Sequence, residues 1–190
     1  FAPLEVVDAL LKAWPDGAKE KDFINDYTPL HAACGAPLGV VAALLRVWPD
    51  AAKEKDRRGY TPLHLACCFG APLGVVAALL RVWPDGAKEK NDNDRTPLHL
   101  ACDHGAPLGV VAALLRVWPD GAKEKDFIND YMPLHLACHD GAPLGVVAAL
   151  LRVWPDGAKE KDFINDYMPL HLACHDGAPL GVVAALLRVW

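Results

Sequence analysis

Thr61-Pro62-Leu63-His64-Leu65-Ala66-Cys67 reads as the opening of a short helix. The Thr61 hydroxyl is placed to accept from the free N–H groups of the first turn. Pro62 stands at the first helical position, where its missing N–H is no loss and its fixed φ suits the helix. Leu63, Ala66 and Cys67 follow at i, i+3 and i+4 and make one apolar face. The phrase returns as Thr28-Pro29-Leu30-His31 and Thr96-Pro97-Leu98-His99. With methionine in place of threonine it returns again as Met132-Pro133-Leu134-His135 and Met168-Pro169-Leu170-His171. The chain is built of repeats.

The histidines of this phrase, at 31, 64, 99, 135 and 171, are 33, 35, 36 and 36 residues apart. Tryptophans 14, 48, 83, 118, 154 and 190 keep the same rhythm. A period near 33 carrying Thr-Pro-Leu-His-x-Ala resembles the ankyrin repeat. The Gly-Ala-Pro-Leu-Gly-Val-Val stretch that opens each later long helix recurs in register with that phrase, and the resemblance spans residues 1–190. It implies an all-α, ankyrin-type α-solenoid of stacked helix-turn-helix units joined by short β-turn or hairpin fingers. The units expected are a partial one at 1–18 (second helix only), then 19–52, 53–87, 88–122, 123–158 and 159–190. Each runs about two residues longer than the family's usual unit, one before the second helix and one after it.

Of the 190 residues, 53% are hydrophobic, and they recur periodically, enough for an elongated core. A formal net charge of −5 argues against a surface that tracks phosphates, so no nucleic-acid partner is expected. The longest uncharged apolar run, Leu65 to Leu80, is short of the roughly 20 residues a membrane span needs. Five of the six cysteines (34, 67, 102, 138 and 174) occupy one equivalent site per unit. Stacked helices sit ~8–10 Å apart, beyond the reach of a disulfide. Buried thiols of this kind fit a reducing interior, and the expected location is intracellular, in the cytoplasm.

Prolines and glycines fall at fixed boundaries in each unit, starting two helices and ending one. In the first full unit Cys34 runs directly into Gly35, whereas the second has Cys68-Phe69 before Gly70. That unit has lost about half a turn and should be the loosest joint. Met132 and Met168 stand where threonine caps the other short helices, so both are expected to weaken their units. Residues 119–154 and 155–190 are identical.

No nucleophile–base pair, carboxylate dyad or phosphate-binding glycine loop appears, so no enzyme, catalytic residue or cofactor is expected. The five repeated histidines would lie in a row instead of converging, and the resemblance implies a structural role near the finger for each. His135-x-x-Cys138-His139, its copy at 171–175, and Cys102-Asp103-His104 resemble fragments of a metal site, but a zinc site needs four ligands around one point. No metal is expected. The six tryptophans should form a ladder that packs one repeat on the next.

The copies differ mainly in the fingers and at the ends of the short helices. The candidate partner-binding residues are therefore Phe23, Ile24 and Tyr27; Arg57, Arg58, Tyr60 and Phe69; Asp92, Asn93, Arg95, Asp103 and His104; Phe127, Ile128, Tyr131, His139 and Asp140; and Phe163, Ile164 and Tyr167. In a stack of this family they line the concave face, which implies a protein-interaction scaffold whose protein partner binds there. Arg57, Arg58 and Arg95 would form a basic patch suited to an acidic partner. The alternative is a self-assembling array. Its long helices carry small residues (Gly39, Ala42, Gly74, Ala77) on their outer face, a strip that could pack on another copy. The last unit repeats one whose surface is covered, so self-association through an uncapped C-terminal repeat is a further expectation.

Overall fold

The computed structural model describes residues 2–189 of the chain. Long helices α1 (Leu4–Ala13), α3 (Leu38–Val47), α5 (Leu73–Val82), α7 (Leu108–Val117), α9 (Leu144–Val153) and α11 (Leu180–Leu187) alternate with short ones. The short helices are α2 (Pro29–Ala32), α4 (Pro62–Cys68), α6 (Pro97–Asp103), α8 (Pro133–His139) and α10 (Pro169–His175). Short helices stack on short and long on long, so the core is one continuous strip between the two rows. Ala66, Cys67, Ala101, Cys102, Ala137 and Cys138 are all but fully buried, because small side chains let neighbouring short helices approach closely. Every cysteine is free, and Cys34 donates its S–H to the carbonyls of Leu30 and, in the next repeat, Pro62. Burial raises the thiol pKa values of Cys34, Cys67, Cys102 and Cys138.

The short helices begin as their sequence dictates. The Thr61 hydroxyl accepts from the His64 N–H and donates to His64 Nδ1, which also accepts from the Thr61 N–H. With Nδ1 an acceptor twice over, the imidazole is neutral and carries its proton on Nε2. That Nε2–H donates to the Arg95 carbonyl of the next finger at 3.1 Å. His31 and His99 repeat the pattern, and His135 keeps the link to the next finger through Tyr167 O. Each of these histidines thus ties its helix start to the following repeat.

The hairpin fingers expected above are not present: among the described residues there is no β-strand. The solenoid is all-α, and its fingers are turns organised around one carboxylate or carboxamide. Asp22 Oδ1 accepts from the N–H groups of Ile24 and Asn25, and Asp56 Oδ1 from those of Arg58 and Tyr60. Asn91 and Asp126 take the same part. These side chains satisfy the donors a strand ladder would have used. A single backbone bond then joins each finger to the next: Arg57 to Asn25, Asp92 to Arg58, Phe127 to Asn93 and Phe163 to Asn129. The turn closes through a left-handed residue, Gly59 in one finger and Asp26, Asp94, Asp130 and Asp166 in the others. Aspartate tolerates that conformation, which is how the third finger dispenses with glycine.

Other features were not legible beforehand. The Pro-Asp-Gly-Ala-Lys stretch does more than stop the long helix; it forms a five-residue 310 turn, as at Pro84–Lys88. The tryptophan before it lies on that turn, so that a Cβ at Gly86 would meet the Trp83 ring at 2.9 Å. The expected tryptophan ladder is therefore a row of separate Trp-on-turn contacts, and no two tryptophan rings stack among the described residues. On the long helices, the glycines of the small-residue strip receive the preceding repeat's leucine: Leu38 over Gly74, Leu73 over Gly109, Leu108 over Gly145, Leu144 over Gly181. Ion pairs Lys21–Glu54, Lys55–Glu89, Lys90–Glu124 and Lys125–Glu160 cross each junction at the surface.

Candidate protein-interaction surface

The fingers and the C-terminal ends of the short helices face one another. Arg95 on the third finger reaches Asp103 at the end of α6, with Nη1 to Oδ2 at 2.7 Å. Cys68 at the end of α4 lies 3.4 Å from His104 of the next unit. The face formed by the fingers and the short-helix ends thus makes contacts within itself, and the residues expected to bind a partner do not all remain available on it.

The phenylalanines and isoleucines of the finger tips are large apolar side chains that the fold leaves bare. Phe23, Phe127 and Phe163 are 84%, 77% and 79% exposed, and Ile24, Ile128 and Ile164 are 61%, 51% and 62% exposed. They sit on finger turns whose backbone is held by the central aspartate, so their direction is set without packing of their own. The tyrosines are anchored instead. Tyr27, Tyr131 and Tyr167 stack on His31, His135 and His171 at 5.3–5.6 Å, and Tyr60 meets His64 edge-on. Phe69 is exposed at the end of α4, and Asp92 and Asn93 at the third finger tip.

The expected basic patch is divided. Arg95 is used internally, bound to Asp103 and through Nε to the buried Asp126 at 3.0 Å. Arg57 pairs with Asp26 and donates to the Phe23 carbonyl. Among the described residues, Arg58 makes no side-chain hydrogen bond or ion pair. His139 lies beside Asp140, whose pKa is raised chiefly by burial, with Asp103 nearby. His104 Nδ1 donates to Leu100 O, within its own helix.

A cavity lies on this face. It has a volume of about 440 Å³ and is bounded by Ile24, Tyr27, Arg58, Tyr60, Leu65 and Phe69, with Asn25, Asp56, Arg57 and Cys68 at its edge. Six of these ten are residues the sequence singled out. Asn25, Asp56, Leu65 and Cys68 were not, although the signal was present: Cys68 and Phe69 have no counterpart between Cys34 and Gly35. α2 accordingly has four residues where α4 has seven, and the space beside Tyr27 stays open.

A row of small-helix pairs, histidine-to-finger bonds and phrase-by-phrase repetition is what one family of solenoids is built from. Residues 2–86 and 36–127, together more than half of the chain, match the family model described as ankyrin repeats (3 copies). The chain belongs to the ankyrin-repeat family. No curated protein matches it. Ankyrin repeats generally mediate protein–protein interactions and are non-catalytic scaffolds. Among the described residues no three His, Cys, Asp or Glu side chains gather where they could hold a metal ion. Among the same residues no helix is long and apolar enough to cross a membrane.

Proposed function

We propose that this ankyrin-repeat chain is a scaffold that binds a protein partner along the face formed by its fingers and short-helix ends. The observation that carries the reading is the set of phenylalanines and isoleucines bared at the tips of the first, fourth and fifth fingers. Ordered turns holding large apolar side chains in water supply what interface hot spots need: buried area on binding at little cost in ordering. The glycines of the small-residue strip are already covered by the preceding leucine, so they answer to packing within the chain, while Ala42 and Ala77 stay exposed. Six free thiols suit a partner met in a reducing compartment.

Panning a displayed random-peptide library against the chain tests this. Binders should be lost when Phe23, Phe127 and Phe163 are all replaced by Asn, and kept when Leu73 and Leu108 are replaced by Asn. The opposite pattern would transfer the binding face to the long helices and overturn the proposal.

A further inference from the structure

The notch between the first two fingers has a different chemistry from the bare phenylalanines. We propose that it takes a carboxylate side chain of an extended partner peptide together with a bulky apolar side chain next to it. The inference rests on the protein-binding function proposed above and names the partner chemistry for this one part of the face.

Three observations converge. First, the notch is structural. Its volume of about 440 Å³ exists because α2 stops at Ala32, leaving nothing beside Tyr27 to match Cys68 and Phe69 beside Tyr60. In the third unit the residues that follow Cys102 are Asp103 and His104, and they lie against Cys68 and Arg95 instead of leaving a gap.

Second, its walls offer unpartnered donors, and Asp56 is the one carboxylate among the residues that bound it. Among the described residues the Arg58 guanidinium has no partner, and neither the Tyr27 nor the Tyr60 hydroxyl makes a hydrogen bond. Burial raises the pKa of both phenols, and Arg58 lies close enough to each to pull the other way. The acids nearby are engaged: Asp56 Oδ1 holds the Arg58 and Tyr60 N–H groups, and Asp26 holds Arg57. A carboxylate entering here meets one planar, fork-shaped cation and two phenol donors, an arrangement suited to bidentate recognition.

Third, the chain shows what fills such a place when it is filled from within. At the third unit Arg95 binds two carboxylates, Asp103 and Asp126, on the same face. In the notch the arginine is Arg58, two positions earlier in its finger than Arg95, and the one carboxylate that lines it, Asp56, is turned to backbone N–H groups of its own finger. Ile24, Leu65 and Phe69 line the rest, and they set the apolar half of the specificity.

The test pans a displayed random-peptide library against the intact chain with a notch-filled variant as soluble competitor. In that variant Asp-His, the pair found after Cys102, is inserted between Cys34 and Gly35. Enriched peptides should carry Asp or Glu beside a Leu, Ile, Phe or Trp. Synthetic copies should lose about tenfold in affinity for an Arg58→Gln chain, the scale of a charge-assisted hydrogen bond. Copies with Gln or Asn for the acid should lose as much against the natural chain, and no further against Arg58→Gln. Circular dichroism establishes that both variants are folded. Enrichment of basic or uncharged peptides, or binding that survives Arg58→Gln, would overturn the notch. If such binders still depend on Phe23, Phe127 and Phe163, the scaffold reading stands without it; if nothing binds the natural chain, both fall.

Discussion

The Nε of Arg95 lies 3.0 Å from Oδ2 of Asp126, a carboxylate only 1% exposed, and the pair joins the third repeat to the fourth. One repeat on, Tyr131 stands where Arg95 does, and Oδ2 of the buried Asp162 has no partner among the described residues. Removing one partner of a buried pair leaves the other stranded, so Arg95→Ala should cost about 3 kcal/mol. Conversely Tyr131→Arg should stabilise the last junction by about 1 kcal/mol, after losing the stack on His135. Urea unfolding combined with hydrogen exchange of residues 155–189 checks both. A Tyr131→Arg chain no better protected there would mean that the two junctions are not equivalent.

Acid should weaken the array through its buried histidines. Burial pushes His64 and His99 down to about 4, and it lowers His31 and His135 as well. Unfolded histidine takes its proton near pH 6.5, so between about 6.5 and 4 the unfolded chain holds more protons than the folded one. Stability is therefore full above about pH 6.5 and falls as pH drops towards 4, by up to about 3 kcal/mol for each of His64 and His99. Urea midpoints measured across this window should fall with acid, and His64→Gln should make the fall shallower. Equal slopes in the two chains would rule out His64 as a source.

Threonine should have opposite effects at the two methionine caps. Met132 is wholly buried, whereas Met168 is half-buried, and neither side chain caps its helix. A threonine cap is worth about 1 kcal/mol. Shrinking a fully buried methionine costs about 2 kcal/mol or more. Met168→Thr should thus raise the stability of the last repeat, and Met132→Thr should lower that of the fourth. This replaces the sequence expectation that both methionines simply weaken their repeats. Thermal melts of the two single variants decide the matter, and a gain at both would restore that expectation.

Gly109 sits under Leu73, whose Cδ2 would lie 3.3 Å from a Cβ placed there. The leucine is 47% exposed and can swing a few tenths of an ångström outward. Alanine then recovers most of the ~1 kcal/mol that glycine forfeits inside a helix. Gly109→Ala should raise stability by about 0.5 kcal/mol, measurable as a shift in the urea midpoint. A loss would mean that the leucine is held more firmly than its exposure implies.

Residues 119–154 and 155–190 divide what the sequence decided from what it did not. The two segments are identical, and local rules gave both the same short helix, Pro133–His139 and Pro169–His175, and a long helix that runs Leu144–Val153 in one and stops two residues sooner, Leu180–Leu187, in the other. Capping, proline placement and apolar spacing are properties of neighbours in the chain, which is why period, helices and family could be read directly. Yet His135 and Cys138 are fully buried while His171 and Cys174 are exposed, because burial comes from the repeat stacked on top. The same holds for the candidate surface. Varying positions pointed to one face, and the missing residues between Cys34 and Gly35 were visible as a shortened helix. That this shortening opens a cavity beside Arg58, and that Arg95 is bound to Asp126 instead of free for a partner, depends on contacts between residues some thirty positions apart. The fingers followed the same division: their turn residues were plain, but one aspartate carboxylate took the N–H groups that would have made a hairpin. Local sequence set each unit, and stacking alone decided which of its polar groups found partners and which faced water.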